Sequence, residues 1–388
     1  MTKIINGRLI RSGRVQDGLN VILEDGRIAE VTARDLPSDT VIDARGQYVS
    51  PGFIDIHTHG GGDADFMDGT PEAFLTAAEL HARFGTTTLV PTATSGTAEE
   101  MSGMEAAFEQ ALSKNERGAD MPGLHLEGPY FSMAQRGAQD PKYVRNPDPA
   151  EYLPILARSR HILRWSAAPE LPGALEFGRE LKRRGILAAI GHTDADYDQV
   201  VAAAQAGYSH VTHLYSCMST VHRKNAFRYA GVVEAAYLLD ELTVEVIADG
   251  VHLPASLLQF VYRFKGPDKI ALVTDSMRGA GMPDGLSVLG SRKNGQQVLI
   301  EDGVAKLMDR SAFAGSVATT DRLVRNMIRL GGASLPDAVK MATETPARIM
   351  GFADRGRLEA GLRADLVFFD DEIRVSRTMA AGRTVFAQ

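Results

Sequence analysis

Between residues 53 and 355 the chain repeats one pattern: a short apolar run, a polar loop, then a stretch of helical character. Apolar strands are expected near Phe53–Ile56, Thr87–Val90, Gly123–Leu126, Leu163–Ala167, Ile186–Ile190, His210–Thr212, Thr243–Ala248 and Ile270–Thr274. Helices are expected near Pro71–Phe84, Ala98–Ser113, Pro172–Arg184, Ala195–Ala206 and Pro254–Phe264. Parallel strands need long crossovers, and helices supply them. Eight strands with helices between most of them close most simply into an α/β fold, the (β/α)8 TIM barrel. Asp321–Leu330 and Pro336–Met341 read as closing helices, and the Gly-rich alternating stretch Gly285–Ala305 as a hairpin excursion.

The two ends differ in character. Ile4, Ile5, Leu9 and Ile10 open a run of short strands, Asp25-Gly26 reads as a hairpin turn, and Val41, Ile42, Tyr48 and Val49 continue it. Ala364–Asp370 and Ile373–Val375 share that character at the far end. Neither end can bury a core alone, so residues 1–52 and 356–388 are expected to pair as a small β-sandwich domain beside a barrel of residues 53–355.

A net charge of −7 argues against nucleic acid or an anionic membrane as partner. No apolar run approaches the roughly 18 residues of a membrane span. The single cysteine, Cys217, excludes an intrachain disulfide and fits a reducing compartment, so a cytoplasmic protein is expected.

Chemistry concentrates at PGFIDIHTHGGG, Pro51 to Gly62. On an extended segment residues i and i+2 share a side, so His57 and His59 can grip one metal ion. Barrel active sites lie at the carboxyl ends of the strands. Glu127, His192, His213 and Asp275 each follow an apolar run at that end. Alone, each has a plainer reading: a loop acid, a helix-capping neighbour, a core histidine, an N-cap. Five strand ends carrying ligand-type residues make a shared metal site the better one.

The order His-x-His, Glu, His, His, Asp resembles the amidohydrolase superfamily, and within it the N-acetylglucosamine-6-phosphate deacetylase family. PGFIDIHTHG, GLHLEGPY, IGHT, VTHLY, ADGVHLP, VTDS, AFAGS and GRLEAGLRADLVFFD carry the resemblance over nearly the whole chain. It implies that His57, His59 and Asp275 hold one divalent metal, that His192 and His213 hold another, and that Glu127 bridges them. One or two ions are implied per subunit, zinc first, with iron, manganese or cobalt as alternatives. Asp275 is then the base that activates water for hydrolysis of an acetamide. His252 and the AFAGS residues Phe313, Ala314 and Gly315 are implied at the amino sugar, and a homodimer supplies a basic residue to its phosphate.

The resemblance frays in the sugar shell. Ser216 and Cys217 stand where the family usually has Asn-Ala, and Gln139 where it often has His. The family's phosphate-binding arginine falls near Lys224, between Arg223 and Arg228 in a basic segment. The expected reaction is hydrolysis of N-acetyl-D-glucosamine 6-phosphate to the amine and acetate. The alternatives are another N-acetyl compound (a galactosamine phosphate, an unphosphorylated sugar or an amino acid) and a silent assembly protein.

Overall fold

The computed structural model describes residues 1–388. Its central element is an eight-stranded parallel sheet, in sequence order: Phe53–Thr58, Thr86–Ala93, Leu124–Glu127, Ile162–Ala167, Leu187–Ile190, Tyr208–Val211, Thr243–Val246 and Ile270–Leu272. Each strand pairs in parallel with its sequence neighbour, the pattern that right-handed helical crossovers generate. The first and eighth strands meet through Asp275 N–H to His57 C=O (2.9 Å) and His59 N–H to Ser276 C=O (2.8 Å). Below these bonds the buried Asp55 carboxylate accepts Thr274 Oγ1 at 2.5 Å, Thr274 N–H at 3.2 Å and His57 N–H at 3.3 Å. The fold is a TIM barrel, and a carboxylate latches its seam.

The first strand runs further than its apolar run suggests. It reaches Thr58, so His57 lies within the strand and His59 just beyond it. Helices absent from the sequence reading occur at Pro149–Arg158, Val232–Leu238 and Glu344–Ile349. Pro149 and Pro154 argue against the first of these locally. Pro149 occupies the first turn, where its missing N–H costs nothing, and Asp148 caps the Ala150 N–H at 2.8 Å. Tyr152 and Leu156 then bury one face against the core.

The excursion after the eighth strand is larger than a hairpin. It is a four-stranded antiparallel sheet of Gly285–Leu289, Gln296–Glu301, Val304–Leu307 and Phe313–Ser316. Asp302 and Gly303 both take positive φ (55° and 74°), the primed turn that matches the twist of the strands it joins. Met277, Val298, Ile300, Ala305 and Ala314 pack with Ala138 as its own small core.

The chain ends form two sheets. One orders Arg27–Thr32, Asn20–Glu24, Thr2–Ile5 and Thr40–Asp43. The other orders Arg383–Ala387, Val375–Ala380, Leu366–Phe369, Tyr48–Pro51, Arg8–Arg11 and Arg14–Gln16. Tyr48–Pro51 pairs antiparallel with Leu366–Phe369, which ties the two ends together. Ile4, Val21 and Ile28 from one sheet bury against Val49, Leu366 and Phe368 from the other. On this packing we propose the division at residues 52 and 356.

The latch is testable. Asp55→Ala leaves buried N–H groups of His57 and Thr274 without acceptors, at about 1–3 kcal/mol for each such group. The urea midpoint should fall accordingly. A change below about 0.5 kcal/mol would show that the seam does not depend on this carboxylate.

Candidate metal centre

Six side chains from five strand ends converge at the carboxyl rim of the barrel. His57, His59 and Asp275 form one group, and Glu127, His192 and His213 a second, with ligand atoms in each within 4.8 Å of one another. All six are buried. Glu127 spans both groups. Its Oε1 lies 3.1 Å from His213 Nε2, 3.3 Å from His57 Nε2 and 3.4 Å from His192 Nε2, and its Oε2 lies 3.3 Å from His59 Nε2. Asp275 Oδ1 faces His59 Nε2 at 3.2 Å and His57 Nε2 at 3.4 Å.

Three of the four rings are held from behind. His57 Nδ1 contacts Glu245 Oε2 at 3.0 Å, His59 Nδ1 contacts Thr92 C=O at 3.2 Å, and His192 Nδ1 contacts Gln135 C=O at 2.8 Å. An acceptor on Nδ1 leaves Nε2 as the free lone pair, the usual arrangement of a metal-binding imidazole. His57 Nε2 is buried and has no hydrogen-bond partner. His192 and His213 point their Nε2 atoms at each other, 3.2 Å apart. Nitrogens so converged, with two carboxylates among them, fit a divalent cation of the zinc class.

The electrostatics agree. Burial works against charge on His57, yet Glu127, Glu245 and Asp275 outweigh it and push the imidazole up to about 9. Burial alone would raise Glu127, but His57, His192 and His213 hold it well below the usual carboxylate range. Asp275 is likewise held down against burial, chiefly by His57 and His59. The cluster stabilises positive charge, as protons or as a cation.

Asp275, His192 and His213 have φ of 46°, 49° and 27°, a left-handed region that non-glycine residues seldom occupy. Backbone bonds brace two of these positions. Asp275 N–H is taken by His57 C=O, and Thr193 N–H by Cys217 C=O at 3.1 Å.

A cavity of about 260 Å³ opens over the cluster, walled by Tyr215, Ser216, Cys217, His252, Phe313 and Gly315 among others. His252 Nδ1 contacts Asp249 Oδ2 at 2.7 Å, and its ring packs on Phe313 with centroids 4.8 Å apart. Gln139 reaches the cavity differently from a free substrate contact. Its Oε1 accepts Ser95 N–H at 2.9 Å and its Nε2 donates to Glu127 Oε2 at 3.1 Å, so the amide is bound to the shared carboxylate. Ala314 does not line the cavity, because strand alternation turns it into the core of the excursion sheet. Arg223, Lys224 and Arg228 do not line this cavity. They lie on an exposed hairpin, His222–Lys224 with Phe227–Tyr229, where Lys224 Nζ pairs with Asp196 at 2.5 Å.

Residues 48–385 match the amidohydrolase family. The chain belongs to the amidohydrolase family. It is 33% identical, over 96% of its own length and 94% of the relative's, to an N-acetylglucosamine-6-phosphate deacetylase of Lysinibacillus sphaericus. It is 34% identical to an N-acetylgalactosamine-6-phosphate deacetylase of Escherichia coli O157:H7, over 95% and 93% of the two chains. In structure it is similar to an N-acetyl-D-glucosamine-6-phosphate deacetylase of Mycobacterium smegmatis, with TM-score 0.91, 31% identity and 100% and 99% coverage. That relative is a variant in complex with N-acetyl-D-glucosamine-6-phosphate.

The sequence reading of this amidohydrolase missed the supports under the cluster. Glu245 and Arg164 are fully buried in barrel strands, and a charged residue inside TVEVIA or LRWSA was the available signal. Thr94, Tyr215, Leu289 and Ala312 of the cavity wall carried no such mark.

Metal affinity should depend on pH. A cation displaces protons from these imidazoles, so binding strengthens as pH rises. Because His57 is pushed up to about 9, apparent Zn²⁺ affinity should still climb between pH 7 and 9. Competition with a chromophoric chelator measures it, and a plateau from about pH 7.5, where a free imidazole of pKa ~6.5 is roughly nine-tenths neutral, would contradict the charge balance described here.

Proposed function

We propose that the chain hydrolyses the acetamide of an N-acetylhexosamine 6-phosphate, N-acetyl-D-glucosamine 6-phosphate first, giving acetate and the free amine. The observation that carries this is the sharing of one carboxylate, Glu127, by two ligand groups at the floor of a small-molecule cavity. Family membership and the names of its relatives point the same way.

His57, His59 and Asp275, with Glu127, His192 and His213, would hold one or two divalent ions. A cation bound there polarises the amide carbonyl and makes a water acidic enough to ionise near neutral pH. Asp275, ionised and at the cavity floor, takes the proton of the attacking water and passes it to the departing nitrogen as the C–N bond breaks. His252 presents Nε2 to the sugar, because Asp249 occupies Nδ1, and Phe313 limits its swing. Gln139 keeps Glu127 in place from above. Burial of all six cluster residues leaves water only the cavity as its approach.

The phosphate lies within reach of a second subunit in this reading. The hairpin bearing Arg223, Lys224 and Arg228 exposes Phe227 at 72% and Tyr229 at 41%, two residues apart on one strand and so on one face. Apolar surface of that kind supports a homodimer through this face. No helix is long and apolar enough to cross a membrane.

Three measurements test the proposal. Asp275→Asn should retain the fold and lose nearly all turnover, since an amide cannot accept the water's proton. Activity within a few-fold of the parent would assign the base elsewhere. In an acetate-release assay, the 6-phosphate should exceed the unphosphorylated sugar in kcat/KM by roughly ten- to a hundred-fold, the value of a charge-assisted contact of about 1.5–3 kcal/mol. Alanine at Arg223, Lys224 or Arg228 should remove that margin for the responsible residue alone. Equal rates on both sugars would exclude a phosphate site, and faster turnover of the galacto epimer would move the assignment to N-acetylgalactosamine 6-phosphate.

A further inference from the structure

Beneath the six ligand candidates lies a buried polar layer that no step above uses. Glu245, on the seventh strand, is fully enclosed. Its Oε2 contacts His57 Nδ1 at 3.0 Å and accepts the His213 N–H, also at 3.0 Å. Its Oε1 pairs with the Arg164 guanidinium, itself fully buried on the fourth strand. Arg164 Nη2 also donates to Thr212 Oγ1 at 2.9 Å, and Nη1 to Ile56 C=O at 3.3 Å. One oxygen of Glu245 thus touches a member of each ligand group, His57 of the first and His213 of the second. Its other oxygen is neutralised by a cation that reaches the backbone just before His57.

We infer that Glu245 is a positioning residue for both halves of the centre, holding the His57 ring and the His213 backbone to one buried acceptor. The inference rests on the metal reading above. Three features carry it. Glu245 accepts at Nδ1 of His57, which makes Nε2 the lone pair facing Glu127 and Asp275. That Nε2 has no partner of its own. His213 takes φ of 27°, and the Glu245 oxygen ties down the N–H of that same residue. Arg164 holds the carboxylate and lets a buried anion sit under a site that must attract a cation. Glu127 joins the two groups from the cavity side, and Glu245 joins them from the barrel floor.

Removing the acceptor separates this role from packing. E245M/R164M exchanges the ion pair for apolar chains of similar length, a replacement that cores often tolerate. E245Q/R164M removes the same charges yet keeps an amide oxygen for His57 Nδ1–H and His213 N–H. Both proteins and the parent are stripped of metal and titrated with Zn²⁺ against a chromophoric chelator. The Met pair should bind the Zn²⁺ shared with His57 roughly ten- to a hundred-fold more weakly. Its melting temperature should rise less on adding Zn²⁺. The Gln pair should bind within about three-fold of the parent. Two double variants that bind alike, whether tightly or weakly, would overturn the inference and leave the metal reading standing. A parent that binds no Zn²⁺ would overturn both.

Should the Met pair not fold, the parent itself decides. In the Zn²⁺-loaded protein labelled with ¹⁵N-histidine, His57 should carry its proton at Nδ1 and the metal at Nε2. Zinc at Nδ1 would exclude the role.

Discussion

Everything at the barrel mouth answers to one electrostatic demand. Two carboxylates, Glu127 and Asp275, lie buried with four imidazoles around them, and ionised acids out of water need positive charge close by. In an isolated chain, protons on the histidines meet that need, which is why burial fails to keep His57 neutral. A divalent cation meets it with fewer particles and the same ligand atoms. The supporting acceptors on Nδ1 of His57, His59 and His192 turn the remaining nitrogens inward, so the demand is directed at one region.

That demand explains an unusual barrel interior. TIM barrels usually fill with layers of branched aliphatic residues. Here Arg164, Glu245, His125, Ser166 and Thr212 occupy the floor, all fully buried. They bond to one another: Ser166 Oγ lies 2.8 Å from both His125 Nε2 and Thr212 Oγ1. A polar layer of this kind offers little hydrophobic stabilisation. Its worth is orientation, because each donor has few alternative partners. The aliphatic core lies instead between the barrel and its helices, with Trp165, Phe177 and Tyr130 stacked edge and face.

The same cost appears in the backbone. Positive φ at Asp275, His192 and His213 costs of order 1–3 kcal/mol each, and such strain persists only where the surroundings over-determine it. The seam bonds, Asp55 and the Glu245 contact supply that constraint. The excursion sheet adds a wall through Leu289, Phe313 and Gly315, so a strand outside the barrel helps to shape the cavity.

By itself the sequence determined the elements that depend on local periodicity. Apolar runs of three to six residues, most of them separated by helical stretches, implied a barrel, and the residues just past those runs had to share its carboxyl rim. Asp25-Gly26 determined its hairpin because the turn chemistry is contained in two residues, φ 47° and 76°. Three short helices, two of them containing proline, escaped notice, since their stability comes from buried contacts and not from propensity. Tertiary structure alone decided the rest. Whether Gln139 turns to a sugar or to Glu127 depends on Ser95, 44 residues away in sequence. Ala314 faces its own core because the excursion is a four-stranded sheet, and Lys224 meets Asp196 because a hairpin folds back on the helix that Asp196 caps. Glu245 came under His57 only when the seventh strand joined the sheet, 188 residues from its partner. Spacing along a strand says which way a side chain points, but which atom it meets is a matter of long-range closure, and no local pattern encodes it.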